Sequence, residues 1–189
     1  MIGEICKSPN IKYIIDLKTN MKCKVYVEIG VLYGGSMIEQ MKDKQECVFV
    51  GIDPFTGYYG KSFDHVRRID LSNHFEIVKN NIKENNPNNH EYHLLKGFSN
   101  DMVDEFRKLE LKIDYLFIDG DHSYKGVMDD FKNYFEFVNE GGIIVFDNYN
   151  DNAWRQVTKA VDEILATDQK IELVEKYAHC CVVKKISAL

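Results

Sequence analysis

Four side chains near the middle of the chain could build a reactive centre. Asp119 stands in IDGDHSY and Asp147-Asn148 in FDNY, each directly after a short apolar run. The 28 residues separating the two acids accommodate a strand–helix–strand unit. Paired neighbouring strands lie ~4.8 Å apart, so the two acids and the amide oxygen would converge. Such a hard-oxygen set suits Mg²⁺ or Ca²⁺ rather than zinc. Carboxylates held that close repel one another, and a cation relieves the repulsion. His122 lies on the loop that follows Asp119, and an imidazole pKa of about 6.5 suits proton abstraction at neutral pH. Taken singly, D-G and D-N are ordinary turn dipeptides; the two together at adjacent strand ends point to a site. The other histidines (His65, His74, His90, His93 and His179) read as surface residues.

A second group lies nearer the N-terminus, in VEIGVLYGGS: Glu28, Gly30, Gly34 and Ser36. Glycine lets a backbone turn sharply and approach a ligand closely, and free N–H groups where the next helix opens suit a carboxylate or phosphate. The G-x-x-x-G spacing is neither the dinucleotide fingerprint nor a P-loop, so a plain strand-to-helix turn competes with a binding role. Asp53 follows Gly30 by 23 positions, where an acid commonly takes ribose hydroxyls. Its rival role is to cap a turn opening at Pro54. Within GFSND, Ser99 and its neighbours either line an adenine edge or cap a helix. The glycine turn and the acid together favour an adenosine-containing ligand.

The elements that must position these groups alternate strand and helix, which predicts βαβ units around a parallel sheet. Strands are expected at 24–29, 47–52, 92–95, 115–118 and 143–146, and helices at 10–19, from 35, and at 74–84, 101–109, 124–138 and 154–166. Two last strands, 171–177 and 180–184, are joined too tightly to be parallel. The fold class is therefore α/β, a Rossmann-like doubly wound sheet of seven mostly parallel strands with a C-terminal antiparallel hairpin. Ligands bind such sheets beyond the carboxyl ends of the strands, where the strand order reverses. The stretch 54–73 lacks periodicity and carries Phe55, Tyr58, Tyr59 and Phe63, candidates for substrate walls together with Trp154.

The 189 residues suit a single domain, 1–189, with 44% hydrophobic residues to fill a core. Net charge is −6, and the short interrupted run KSFDHVRR is no basic stripe, which argues against nucleic acid. Five cysteines without a C-x-x-C pair fit neither a disulfide framework nor a zinc knuckle, and reduced thiols point to the cytoplasm. No secretory h-region and no run of ~20 apolar residues is present, so no membrane is expected.

These residues resemble the class I S-adenosylmethionine-dependent methyltransferases, in particular the small metal-dependent O-methyltransferases. The likeness runs from Val25 to about Lys185, and its most specific piece is DYLFIDGDHSYKGVMDDFKNYFEFVNEGGIIVFDNY. It is nearest to the macrolide-sugar branch and more distant from the catechol and caffeoyl-CoA enzymes. The resemblance implies that Glu28, Gly30, Gly34 and Ser36 hold the methionine part of S-adenosyl-L-methionine. It gives Asp53 to the ribose and sets Ser99 and Asn100 beside the adenine. Asp119, Asp147 and Asn148 match the ligands of Mg²⁺ or another divalent cation. His122 falls where the catechol enzymes carry a catalytic lysine and the sugar enzymes a histidine. The Asp-Asn pair is the catechol-type choice, whereas sugar enzymes tend to have two acids. The acceptor implied is a hydroxyl of a small molecule, sugar or phenol. By analogy the leading helix and the terminal hairpin would form homodimer contacts. A nicotinamide-dependent oxidoreductase, a binder of the cofactor without catalysis, and methyl transfer to nitrogen are the competing readings.

Overall fold

The structure is a computed structural model that describes residues 9–56 and 73–187. Its strands are β1 (Val25–Ile29), β2 (Val48–Asp53), β3 (Tyr92–Lys96), β4 (Ile113–Ile118), β5 (Val138–Phe146), β6 (Ile171–Tyr177) and β7 (Cys180–Lys185). The helices are α1 (Pro9–Asn20), α2 (Gly35–Met41), α3 (His74–Glu84), α4 (Ser99–Lys108), α5 (Tyr124–Tyr134) and α6 (Arg155–Thr167). The seven strands form one sheet in the order β3-β2-β1-β4-β5-β7-β6. β1 to β5 run parallel to one another, and β7 runs antiparallel to both β5 and β6. The order reverses between β1 and β4, which makes their carboxyl ends the crevice of the fold.

Side chains alternate across each strand, so every inner strand feeds two cores. Val27, Leu116, Ile144 and Val183 face α4, α5 and α6, whereas Tyr26, Phe49, Tyr115 and Val145 face α1, α2 and α3. This two-sided burial explains why the inner strands read as nearly continuous apolar runs.

The expected helix over 124–138 ends early. Phe135–Phe137 tightens into a 3₁₀ turn, and Val138 already pairs with Ile113 as the first residue of β5. Phe135, Phe137 and Val138 continue the apolar spacing of α5, but burial of Val138 in the sheet wins over further helix. Gly141 has φ of 79°, and the register slips between Ile113 and Tyr115.

Candidate functional site

The glycine turn closes the end of β1. Gly30 has φ of 92°, and a Cβ there would stand 2.1 Å from the Asp119 carbonyl oxygen. Only a residue without a side chain lets the ends of β1 and β4 meet. Gly34, with φ of 82°, is the residue from which α2 springs. Beneath the turn, Glu28 is fully buried and accepts hydrogen bonds from Tyr26 Oη at 2.6 Å and Ser36 Oγ at 2.5 Å. Burial raises its pKa to about 8, against the pull of those two donors.

Asp53 ends β2 and turns inward. Its Oδ2 accepts from the backbone N–H groups of Val31 at 2.9 Å and Leu32 at 3.1 Å, and its Oδ1 from that of Phe55 at 2.5 Å. Burial raises its proton affinity more than the three donors lower it. The acid thus clamps the glycine turn to β2, and both its oxygens are engaged. The capping role and a place beside the turn coexist in one residue. Phe55 packs in the core against His74 and Phe75; Tyr58, Tyr59 and Phe63 lie outside the described residues.

At the other side of the crevice stand Asp119 and Asp147, each immediately after its strand. Both line one cavity of about 100 Å³ together with Gly30 and Ser36. The Asp119 backbone N–H donates to Ile29 and that of Asp147 to Ile118, which carries the sheet ladder up to the acids. His122 Nε2 lies 3.1 Å from Asp119 Oδ1. Burial works against protonation of His122, but the Asp119 hydrogen bond and the charges of Asp119, Asp147 and Asp121 outweigh it and raise its pKa. Asp147 is pushed up to about 7 by burial and by the Asp119 charge. Asn148 has φ of 58°, a left-handed turn that asparagine tolerates.

The structure brings Gly30, Ser36, Asp119 and Asp147 to one cavity, with His122 bonded at its rim. Ser99 and Asn100 open α4 and are bonded to α5 instead: Ser99 Oγ donates to Asp130, and Asn133 Nδ2 donates to Asn100 Oδ1 at 2.6 Å. Among the described residues no three His, Cys, Asp or Glu side chains are arranged to hold a metal ion. Two carboxylates, one of them holding its proton more tightly because of the other's charge, followed by the Asn148 amide, nonetheless have the donor chemistry a hard cation takes.

Two contributors, the α1 wall and Cys180, escaped the sequence reading, and Trp154, expected as a substrate wall, has a further contact. Asn10, Ile11 and Ile14 of α1 form one wall of the cavity; the apolar pattern of α1 announced a buried face but not what that face covers. The Cys180 thiol donates to Asp147 Oδ1 at 3.2 Å, and its place in an apolar run carried no such signal. Trp154 packs its ring on His122, with centroids 4.4 Å apart, so it backs the imidazole as well as packing against the core. Two histidines expected at the surface are buried: His90 lies 2.8 Å from the Asp43 carbonyl oxygen, and His74 packs edge-on to Tyr33.

Solved structures of similar shape come from methyl-transfer enzymes. The calicheamicin methyltransferase CalS11 is 15% identical over 93% of this chain and 78% of its own, with a TM-score of 0.67. The O-methyltransferase NovP is 20% identical over 94% and 78%, also at 0.67. An O-methyltransferase from Bacillus cereus, solved with SAH, is 17% identical over 97% and 84%, at 0.66. At this level of identity the likeness establishes the Rossmann-like fold. A curated relative, the uncharacterized protein R132 of Acanthamoeba polyphaga mimivirus, is 37% identical over 147 residues. Those residues are 76% of this chain, which spans only 60% of that relative's length. Residues 27–149 match the family described as methyltransferase domain, and the chain belongs to that family.

Proposed function

We propose that this chain is an S-adenosyl-L-methionine-dependent O-methyltransferase, assisted by Mg²⁺ or another divalent cation, acting on a hydroxyl of a small sugar or phenol. The observation that carries the reading is the placement of Asp119 and Asp147 in the same cavity as Gly30 and Ser36, with His122 hydrogen-bonded to Asp119. Glu28, Gly30, Gly34 and Ser36 would hold the methionine end of the cofactor, Asp53 its ribose, and Ser99 with Asn100 its adenine. Asp119, Asp147 and Asn148 would hold the cation, whose chemistry is to lower the pKa of a coordinated hydroxyl, while the cofactor supplies an electrophilic methyl group.

The chain's own residues do the rest. With its Nε2–H hydrogen-bonded to Asp119, neutral His122 would take the proton of the acceptor hydroxyl on Nδ1. Trp154 fixes the ring's plane. The wall of Asn10, Ile11 and Ile14 excludes water from the reacting atoms. Alignment of acceptor and methyl donor, which effective molarities show to be worth many powers of ten, falls to the rigid strand ends.

Calorimetric titration of S-adenosylmethionine and S-adenosylhomocysteine, with and without Mg²⁺, tests the cofactor assignment. Micromolar binding of both supports it and is followed by turnover with sugar and phenol acceptors. Absence of binding in either condition overturns it and brings forward a nicotinamide. Binding without turnover, unaffected by His122→Ala, would mark a cofactor-binding module.

A further inference from the structure

Far from the crevice, at the amino-terminal edge of the sheet, two thiols face each other. Cys23 stands in the turn between α1 and β1, and Cys47 directly before β2. The parallel register pairs Val25 with Val48, which draws the two cysteines together. Their sulfur atoms are 3.9 Å apart, and both side chains are buried. A sulfhydryl is a weak donor and a weak acceptor, so this contact contributes little as a hydrogen bond. Its chemical consequence is greater. A disulfide needs the sulfurs to approach to about 2.05 Å, a distance that small side-chain rotations can supply when the backbones already run side by side.

The surroundings give the pair a direction. Lys18 is fully buried, its ammonium 3.2 Å from Asp43 and 5.6 Å above the Phe49 ring centre. The Cys23 hydrogen bond, seconded by the Lys18 charge, lowers the Cys47 pKa against the effect of burial. The same hydrogen bond, with burial, raises that of Cys23. Cys47 is therefore the readier thiolate. The pair sits one residue below the surface, since Lys22, Lys24 and Glu46 are exposed, and opening of these short turns requires no global unfolding.

Cys180 and Cys181 supply the contrast. They are consecutive residues of β7, with side chains in opposite cores. The Cys180 thiol is given to Asp147, and burial pushes both upward. Adjacency in sequence separates that pair; adjacency across two strands joins the other.

We propose that Cys23 and Cys47 are a redox-responsive dithiol, closed into a disulfide by a low-molecular-weight disulfide such as oxidised glutathione. The Cys47 thiolate attacks one glutathione sulfur, forming a mixed disulfide and releasing one glutathione thiolate, which takes up a proton. Cys23 then loses its proton to solvent and attacks the Cys47 sulfur. The protein bridge forms and the second glutathione leaves as a thiolate that is protonated in turn. Two protein thiols are oxidised and one glutathione disulfide is reduced. The bridge would enclose β1, the glycine turn and α2. It would also fasten the root of α1, where the Cys23 N–H already donates to the Lys18 carbonyl. The opposite end of α1 walls the cavity, so the redox state of the pair sets how firmly that wall is held. This inference does not depend on the proposed methyl transfer.

The test is incubation of the whole chain with oxidised glutathione, then alkylation of residual thiols, intact mass measurement and peptide mapping. The expected result is loss of two hydrogens, a peptide linking Cys23 to Cys47, and a melting temperature raised by about 5–10 °C and restored by dithiothreitol. Cys23→Ser should stop at the mixed disulfide on Cys47. Full alkylation of both thiols after treatment, or a bridge joining other cysteines (Cys6 lies outside the described residues), overturns the proposal. The mapping uses the unaltered chain, so a variant that fails to fold leaves the test intact.

Discussion

The crevice has two rims, and they use their acids in opposite ways. On the β1–β2 rim, Asp53 spends both oxygens on three backbone N–H groups, and Glu28 takes two hydroxyl donors. On the β4–β5 rim, Asp147 has a thiol and its own neighbour's backbone as donors and feels the charge of Asp119, so that its pKa is pushed up to about 7. The first rim converts polar side chains into a fixed backbone shape. The second leaves them facing one another and the cavity, a site whose charge asks for a proton or a cation. A braced scaffold and a pair of facing acids are thus separated by one strand boundary.

The point where the rims touch gives the largest expected effect. A methyl group at Gly30 would meet the Asp119 carbonyl oxygen at 2.1 Å, on a backbone with φ of 92°. Gly30→Ala should cost about 4 kcal/mol or more, or prevent folding. Gly141 has a comparable φ of 79° but nothing within 4 Å of its added Cβ, so Gly141→Ala should cost only about 1 kcal/mol. Urea denaturation of the two variants measures the difference. Similar losses at both positions would mean that φ alone, and not the meeting of the strand ends, is what matters at Gly30.

Next in size is the split between the rims. His122→Ala should lower turnover about 10²–10⁴-fold while leaving the melting temperature and S-adenosylhomocysteine affinity near those of the parent. Asp53→Ala should show the reverse order of damage. It strips acceptors from three backbone N–H groups, and each donor left buried and unpaired costs about 1–3 kcal/mol. Parallel measurements of turnover, calorimetric affinity and melting temperature would break the comparison if both variants lost stability alike.

The sheet was readable because two-sided burial writes apolar runs and turn residues punctuate them. The antiparallel hairpin followed from the short connection between its strands, whereas the strand order is seen only in the structure. The convergence of the two acids was legible for the same reason: Asp119 and Asp147 each sit one residue past a strand, so pairing of β4 with β5 brings them together. What escaped depends on third dimensions of packing. Nothing in the spacing of Ile11 and Ile14 says that the α1 face they form ends over a cavity. Nor does a cysteine in an apolar run show that its thiol reaches a carboxylate 33 positions away. Asp53 is instructive in another way. Its position suggested a ribose contact or a cap on the turn that follows, and its carboxylate in this structure braces the turn through three backbone N–H groups.

The smallest effect is a pH slope, and it distinguishes the acids beneath the two rims. Burial raises Glu28 to about 8, and it raises Asp130, the acceptor of the Ser99 hydroxyl, to about 7. Asp130 lies under the second rim, its Oδ2 within 3.3 Å of where a Gly120 Cβ would stand. An unfolded chain releases these protons near pH 4, so between there and neutrality the folded state binds more protons than the unfolded one. Stability must then fall as pH rises across that window, the reverse of the usual paired carboxylate. Asp43 and Asp129, whose pKa values are lowered, act below the window and leave the slope alone. Both Glu28→Gln and Asp130→Asn remove the titration. The asparagine oxygen still accepts from Ser99, and the glutamine oxygen accepts from one of Tyr26 and Ser36 while the other hydroxyl turns to accept from the amide NH₂. Melting temperatures recorded from pH 5 to 8 should therefore decline less steeply in each variant than in the parent. Glu28→Gln should flatten the curve up to about pH 8, and Asp130→Asn only up to about pH 7. An unchanged slope in Glu28→Gln would mean that Tyr26 and Ser36 already hold the carboxylate ionised, and that the first rim stores charge as the second does.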